Sequence, residues 1–351
     1  MFELNNKIRE NIKKLVPYSS ARDEYKGKEG IFLDANENSY GSPSLPKDYN
    51  RYPDPLQLAV KEKLSKIKGQ PPQNIFLGNG SDEAIDILLR AFCGPGTDNV
   101  IICPPTYGMY EVAANINDVE VKKVNLIPET FQLDVNNILT AINERTKLVF
   151  VCCPNNPTGN SVKDDDVIRL LKEFRGIVVV DEAYINFSPY RSSIRHLLTY
   201  PNLVILQTLS KAWGLAGLRI GMAFASQQII DVFNKIKPPY NINSASQEAA
   251  MLALDDIDLV NRSMHELLEE REKLAGNLAE MPFVIKVYPS DANFLLVKMK
   301  EPRKVYDFLA GRNIIVRDRS KVPLCEGCLR ITVGTWEENI KLIDTLKEFT
   351  T

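Results

Sequence analysis

The chain has 351 residues, 44% of them hydrophobic and 25% charged, with a formal net charge of −2. These are values of a globular protein, so wholesale disorder and a fibrous repeat are excluded, and the length suits one large domain or two ordinary ones. The near-neutral charge argues against a nucleic-acid or anionic-membrane partner, and two histidines leave little room for a histidine metal site or a Ser-His-Asp triad.

The first predicted element is an amphipathic helix over residues 1–16, which Pro17 ends. It lacks the continuous apolar core of a signal peptide, and no apolar run approaches the length of a membrane span. We therefore expect a cytoplasmic protein whose six cysteines are free thiols. Residues 34–55, rich in Asn, Pro, Gly and Ser, are expected to form a long functional loop.

Short β-branched runs then alternate with amphipathic helical stretches from residue 74 to about residue 240. Continuous apolar strands separated by helices predict an α/β domain with a mostly parallel sheet flanked by helices. A long polar helical region at 246–280 and further strands interleaved with helices predict a smaller α+β domain. The expected division is 31–244 for the large domain, with 1–30 packing on 245–351 as the small one.

A lysine follows the last of these apolar runs, in the sequence Ser210-Lys211, and Arg219 lies in the glycine-containing stretch behind it. Ligands of α/β folds bind at the carboxyl ends of strands, although a lone lysine there is more often simply solvated. A hydroxyl, an amine and a fixed cation together suit a phosphate-bearing carbonyl compound. Pyridoxal phosphate, held covalently by Lys211, is such a compound.

That cofactor needs a carboxylate for its ring nitrogen, and Asp181 ends another apolar strand. Tyr184 lies three residues later, and Asn156 belongs to the turn PNNPTG, residues 154–159; either can donate to the ring oxygen. A helix N-cap for Asp181 and a plain turn role for Asn156 are the structural alternatives.

A phosphate cradle is expected where a strand runs through glycines into a helix, with backbone amides at Gly80, Ser81 and Asp82. The Asp82 side chain has to turn away from the phosphate, so a cation such as Arg219 is needed nearby. Tyr107 can stack on the cofactor ring or be an ordinary core tyrosine. The pair Cys325 and Cys328 has no second pair for zinc, so we expect no metal site.

Five motifs in this order (GNGSDEAI, PPTYGMY, PNNPTG, DEAYINF and SKAWGLAGLRIG) resemble the class I and II aminotransferases of the aspartate-aminotransferase fold. The resemblance covers nearly the whole chain and implies pyridoxal phosphate bound to Lys211, with Asp181 and Tyr184 as its catalytic partners. It implies cofactor contacts from the following residues: Gly80, Ser81, Asp82, Tyr107, Asn156, Ser210 and Arg219.

Further stretches, among them VPYSSAR, LDANENSYGSP, RYPDP and LRITVGT, resemble the histidinol-phosphate aminotransferase branch. This implies transfer of an amino group from histidinol phosphate to 2-oxoglutarate in a homodimer, with Tyr52 reaching the partner subunit's cofactor phosphate. It also implies a substrate pocket formed by Tyr18, Arg22, Asn36, Arg317 and Arg330. Converging arginines suit a phosphate and also the carboxylates of glutamate.

Two other reactions on the same scaffold remain open: decarboxylation of threonine phosphate and transamination of aromatic amino acids. A binding-only role, as in regulators with an aminotransferase-like domain behind a DNA-binding module, is less favoured. About thirty residues precede the cofactor-domain pattern, which is too few for such a module.

Overall fold

The structure, a computed structural model, describes residues 2–18, 30–45 and 49–349. Its centre is a seven-stranded sheet in the order β1-β7-β6-β5-β4-β2-β3. The strands are β1 Ile75–Asn79, β2 Asn99–Ile102, β3 Glu120–Lys123, β4 Thr146–Cys152, β5 Ile177–Asp181, β6 Leu203–Thr208 and β7 Ile220–Phe224.

All neighbouring strands of this sheet are parallel except β7, which runs antiparallel to both β1 and β6. The mostly parallel sheet predicted from the sequence is confirmed, but β7 is an additional strand that the prediction missed. Its sequence, IGMAF, comes soon after the glycine-rich stretch that follows Lys211. Polar and apolar residues do not alternate in it, so no period-two pattern marks it as a strand.

Helices cover both faces of the sheet. The described helices are α1 Glu10–Lys14, α2 Leu58–Lys68, α3 Ser81–Phe92, α4 Met109–Ile116, α5 Val135–Ala141, α6 Asp164–Glu173, α7 Gln227–Ile236, α8 Ser244–Asp255, α9 Ile257–Ala279, α10 Pro302–Ala310 and α11 Trp336–Lys347. Residues of α2, α5, α6 and α8 join the core on one face, and those of α3, α4 and α7 join the core on the other. Burial on both faces explains why these strands are continuous apolar runs.

The smaller unit is a four-stranded antiparallel sheet in the order β10-β11-β9-β8, covered by α9, α10 and α11. Its strands are β8 Val284–Val287, β9 Phe294–Met299, β10 Arg317–Asp318 and β11 Cys328–Thr332. The predicted α/β fold with a smaller α+β unit is therefore confirmed. Cys325 and Cys328 are buried in the hydrophobic core that the two units share.

The N-terminal arm differs from its prediction. Instead of one helix over 1–16, it forms a 3₁₀ turn at Leu4–Asn6 and the short helix α1. Leu4 and Ile12 are buried against the core formed by α3, α4 and α7, and the Arg9 amide donates to the Ala91 carbonyl. The expectation that this arm packs on the C-terminal unit is therefore wrong for residues 2–14, because its apolar side chains cover a face of the large sheet.

The expected division at residue 244 falls at the start of α8, which packs with the large sheet. Ala250 and Leu254 of α8 pack in the core of the large sheet, whereas the core of the small sheet begins at Leu274 of α9. We propose that the two units divide within α9. Among the helices that the structure describes, none is long and apolar enough to cross a membrane.

Candidate active site

The carboxyl ends of β4, β5 and β6 open into one cavity of about 400 Å³. Cys152, Asp181 and Thr208 end these strands and line the cavity. Parallel strands end at the same edge of a sheet, so residues distant in sequence meet there. The cavity brings together the expected residues Gly80, Ser81, Asp82, Tyr107, Asn156, Asp181, Tyr184, Ser210, Lys211, Arg219, Arg317 and Arg330.

Lys211 lies three residues beyond the end of β6, and its amine is 5.5 Å from the centroid of the Tyr184 ring. Partial burial lowers the pKa of this amine, and the nearby charges of Arg330 and Arg219 lower it further. A lowered pKa enlarges the neutral fraction, which is the form that attacks a carbonyl carbon or accepts a proton.

Asp181 is 2% exposed, and burial raises the pKa of its carboxyl to about 6. The Tyr110 hydroxyl donates to Asp181 Oδ2 at 2.6 Å, and the Ala183 amide donates to Oδ1 at 3.1 Å. Tyr110 is itself fully buried and stacks on Phe150, with ring centroids 4.8 Å apart. The carboxylate is thus fixed in place and is suited to a cation or a charged N–H group from the cavity.

Asn156, Tyr184 and Arg330 form a hydrogen-bonded row across the cavity. Arg330 Nη1 donates to Asn156 Oδ1 at 2.6 Å, and Asn156 Nδ2 donates to the Tyr184 hydroxyl at 3.4 Å. Burial raises the pKa of that hydroxyl well above its usual value, so it remains a proton donor. Two neutral donors therefore sit side by side near Lys211.

The amino end of α3 forms the cradle predicted for a phosphate. Gly80 has φ 73°, and no side chain among the described residues caps this helix end. A Cβ on Gly221 of β7 would lie 2.1 Å from the Ser81 nitrogen, so the sheet and the helix start meet backbone to backbone. Because these positions have no side chain, the backbone N–H groups and the positive end of the helix dipole are accessible from the cavity.

The Asp82 carboxylate lines the cavity beside that helix end, since its Oδ2 would lie 3.8 Å from a Cβ on Gly80, so it does not turn away as the phosphate hypothesis expected. Its Oδ1 accepts from the Tyr107 hydroxyl at 3.1 Å, and its Oδ2 lies 3.6 Å from Arg219 Nη2. Tyr107 is held edge-on to Tyr110, with centroids 5.6 Å apart. The acidic side chain is thus neutralised at the cavity wall while the Tyr107 ring remains part of the lining.

Three arginines form the opposite wall, which we call the arginine wall: Arg317, Arg319 and Arg330. Arg317 pairs with Arg330 in the β10–β11 register, and the Arg319 amide extends the ladder by donating to the Cys328 carbonyl at 3.0 Å. Arg330 also lies over the Phe294 ring, with 5.2 Å from Cζ to the centroid. The backbone of the small sheet therefore holds three cations facing the cavity.

Some expected residues are not part of this cavity within one chain. Asn36 and Tyr52 line a neighbouring cavity of about 510 Å³, where Tyr52 stacks on Tyr240 with centroids 4.5 Å apart. Tyr18 is 75% exposed and does not line the cavity, and Arg22 lies outside the described residues. The roles expected for these four residues stay predictions.

The sequence interpretation missed several lining or supporting residues, chiefly Tyr110 and Arg319. Tyr110 lies one helical turn after Tyr107, and Arg319 lies two residues after Arg317, the spacing that puts side chains on one face of a strand. Each spacing could have indicated that the second residue lies on the same side of its element as the first. Cys152 also lines the cavity, and its sulfur donates to the Pro154 carbonyl at 3.5 Å.

The donor set fits pyridoxal phosphate. The cradle at α3 and Arg219 suits the phosphate, Asp181 suits a protonated ring nitrogen, and Lys211 suits the aldehyde. Asn156 and Tyr184 offer donors for the ring oxygen. A side chain at Gly80 would fill the cradle, since its Cβ would come within 2.6 Å of Arg219 Nη2.

A family model described as aminotransferase class I and II matches residues 32–346. The chain belongs to the class I and II aminotransferases. This aminotransferase is 55% identical over 348 residues to the histidinol-phosphate aminotransferase of Cytophaga hutchinsonii, with 99% of each chain covered. It is 52% identical over 347 residues to the enzyme of that name from Parabacteroides distasonis, again with 99% of each chain covered.

Solved structures show the same fold. The histidinol-phosphate aminotransferase of Clostridium acetobutylicum has a TM-score of 0.78 and 25% identity, with 85% of this aminotransferase and 90% of that chain covered. That of Sinorhizobium meliloti, solved with pyridoxal-5'-phosphate, has a TM-score of 0.80 and 24% identity, with 90% of each chain covered.

Proposed function

We propose that this aminotransferase transfers the amino group of histidinol phosphate to 2-oxoglutarate, giving imidazole-acetol phosphate and glutamate in histidine biosynthesis. The observation that carries the proposal is the arginine wall facing Lys211. Histidinol phosphate lacks an α-carboxylate and carries a phosphate, and guanidinium groups bind phosphate through paired hydrogen bonds. The proposal is supported by the curated relatives, which are named histidinol-phosphate aminotransferase.

The protein is a transaminase that depends on pyridoxal phosphate. When bound, this cofactor supplies an aldehyde that takes up the amino group and a ring that accepts electrons from the substrate's Cα. We assign the retention of the ring-nitrogen proton to Asp181, whose carboxylate is buried and fixed by Tyr110. Asn156 and Tyr184 orient the ring by donating to its oxygen, and Tyr107 covers one ring face.

Lys211 is assigned two tasks. Its neutral amine holds the cofactor between turnovers, and once displaced by the substrate's amine it accepts the proton from Cα. Partial burial lowers the pKa of this amine, and the charges of Arg330 and Arg219 lower it further, which enlarges its neutral fraction. The phosphate end of the cofactor is assigned to Arg219, Ser210 and the amides at the start of α3.

We also propose a cytoplasmic homodimer in which Tyr52 contacts the partner subunit's cofactor phosphate. The segment that carries Tyr52 exposes large apolar side chains, including Ile31 at 91%, Leu33 at 82% and Tyr40 at 100%. Exposed apolar groups in such numbers are typical of a surface that another chain covers. All six cysteines are free, which supports a reducing compartment.

The test is a half-reaction of the holoenzyme with histidinol phosphate, followed by the absorbance of the lysine-bound cofactor. We expect that band to disappear with histidinol phosphate and to return with 2-oxoglutarate. Lys211→Ala should abolish turnover, because it removes both the covalent anchor and the proton acceptor. Lys172→Ala, an exposed lysine on α6, is the matched control and should behave as wild type. Wild-type turnover by Lys211→Ala contradicts the assignment.

The two alternatives are tested with the same enzyme preparation. Release of CO₂ from threonine phosphate without glutamate formation supports the decarboxylase. Faster turnover of phenylalanine than of histidinol phosphate supports the aromatic-amino-acid aminotransferase. We expect neither.

A further inference from the structure

Arg319 is a partly buried cation of the arginine wall, and no hydrogen bond among the described residues holds its side chain. Arg330 is tied to Asn156, but the Arg319 side chain makes no hydrogen bond or ion pair with any residue that the structure describes. Its Nε is buried without a partner, and the same holds for Nε of Arg330. Two buried N–H groups without hydrogen-bond partners, on neighbouring arginines, lower the stability of the folded protein unless a ligand accepts hydrogen bonds from them.

The nearest acid along the chain does not neutralise Arg319. Asp318 lies between Arg317 and Arg319, and its Oδ1 accepts from the amide and hydroxyl of Ser320. Its Oδ2 lies 3.9 Å from Arg303. Because side chains alternate along a strand, Asp318 points away from the cavity that Arg317 and Arg319 line.

The charges of the cavity separate into two groups. Asp82 and Asp181 lie on the side of α3 and β5, with Arg219 paired to Asp82. The arginine wall holds three cations with no carboxylate of the described residues within ion-pair distance. Partial burial, Arg330 and Arg317 together lower the pKa of Arg319, as expected of a cation that awaits a counter-charge.

Two substrates of the proposed reaction carry different anions beside the reacting amine. In glutamate the α-carboxylate is joined directly to Cα and has one charge, and the second carboxylate lies at the far end of the side chain. The phosphate of histidinol phosphate is joined through a carbon and an oxygen, so it extends farther and carries up to two charges. Arg330 is tied to Asn156 beside the tyrosine and lysine and is within reach of either anion. A further cation is needed only for the larger one.

We propose that Arg319 is a specificity-determining residue that binds the substrate's phosphate and makes little contact with the carboxylates of glutamate. The inference rests on the proposed function, which it deepens by assigning phosphate selectivity to a residue that the sequence interpretation did not name. It concerns the dianion itself, so threonine phosphate and inorganic phosphate are bound by the same group.

The experiment compares Arg319→Gln and Arg319→Lys holoenzymes with wild type. For Arg319→Gln we expect KM for histidinol phosphate to rise roughly 10- to 100-fold, the loss of one charge-assisted hydrogen bond, with kcat little changed. KM for glutamate should change by less than about threefold. Arg319→Lys should recover part of the loss, since it restores the charge without the planar fork. Arg169→Gln, an exposed arginine of α6 paired with Glu173, is the control and should change neither KM.

A second readout does not need turnover of the phosphate substrate. Inorganic phosphate should inhibit the glutamate half-reaction of wild type, and its inhibition constant should rise at least about tenfold in Arg319→Gln. Unchanged inhibition together with an unchanged KM for histidinol phosphate overturns the proposal, as does an equal rise of both KM values. If wild type does not deaminate histidinol phosphate, the proposed function fails, whereas the inhibition measurement still decides the role of Arg319.

Discussion

Asp181 shows at the scale of one residue how a functional group conflicts with the stability of the cofactor-free enzyme. Burial raises the pKa of its carboxyl from 3.8 to about 6. An acid with a raised pKa favours the folded state below its unfolded pKa, and that contribution is lost as pH rises through 6. Without a cofactor, the ionised carboxylate therefore destabilises the folded protein at neutral pH.

Asp181→Asn should remove this pH dependence. We expect the free energy of unfolding of the cofactor-free variant, relative to wild type, to increase between pH 4 and pH 7.5 by up to ~3 kcal/mol. Urea unfolding at the two pH values measures the difference, and the buried neighbour Glu182 cancels because both proteins contain it. Parallel pH profiles for the two proteins contradict the prediction. Affinity for pyridoxal phosphate should fall at the same time.

Tyr110 supports Asp181 from the side opposite the cavity. Its hydrogen bond lowers the pKa of Asp181 and so keeps more of the carboxylate ionised. Tyr110→Phe keeps the ring that stacks on Phe150 but removes the hydroxyl. We expect cofactor affinity to fall roughly tenfold and kcat to fall, and the cofactor-free variant to lose some stability at neutral pH because the buried carboxylate loses a donor. Fluorescence titration with pyridoxal phosphate measures the affinity. Tyr190→Phe, on an exposed tyrosine, is the control, and equal affinities of the two variants sink the idea.

At the level of residues, the sequence predicted best where chemistry coincides with a strand end. Asp181 ends β5, Asn156 follows β4, and Lys211 follows β6, so their meeting in one cavity follows from parallel strand order. Tyr110 and Arg319 were missed because their roles depend on packing between elements. Tyr110 contacts Asp181 only because α4 packs over the sheet, and Arg319 faces the cavity only because β10 pairs with β11.

At the scale of elements, the contact between β7 and α3 shapes the phosphate cradle. Gly221 of β7 pairs with Gly78 of β1, and a Cβ there would lie 2.1 Å and 2.2 Å from backbone atoms of Ser81 and Gly80. Backbone atoms cannot rotate away as a side chain can. The strand that the sequence did not predict is therefore the one that sets the position of the predicted anion site.

Gly221→Ala should displace the start of α3. We expect a loss of stability of ~1–3 kcal/mol from overpacking and a fall in affinity for pyridoxal phosphate of at least about tenfold. Gly217→Ala is the matched control, because among the described residues no heavy atom other than those of its chain neighbours lies within 4 Å of the Cβ it would add. Thermal unfolding and cofactor titration of both variants give the comparison. The prediction is contradicted if the Gly221→Ala enzyme has the same thermal stability and the same affinity for pyridoxal phosphate as the Gly217→Ala enzyme.

For the whole molecule, the net charge of −2 excludes a general attraction to nucleic acid but conceals a strongly cationic cavity. Lys211, Arg219 and the arginine wall face it, and Asp82 and Asp181 are the carboxylates that line it within the described part of the chain. The fold class followed from the alternation of strands and helices. The packing of the N-terminal arm could not be predicted from the sequence, because an amphipathic pattern does not identify the surface that the helix covers.

The proposed homodimer is tested by mixing two defective enzymes. Tyr52 does not line the cavity of its own chain and is half exposed beside Tyr240, so its predicted contact with the cofactor phosphate requires a second chain. Tyr52→Ala should hold pyridoxal phosphate weakly, and Lys211→Ala should be inactive. In a dimer that mixes both variants, one of the two sites has its own Lys211 and the partner subunit's Tyr52.

Random exchange of subunits in an equal mixture makes half of the dimers hybrids, so about a quarter of all sites are intact. We therefore expect the mixture to recover about a quarter of wild-type activity after exchange under mild denaturant. A mixture prepared without exchange is the control and should show only the sum of its parents. If exchanged subunits also give only that sum, Tyr52 acts within its own chain or not at all, while the Lys211 and Arg319 experiments remain unaffected.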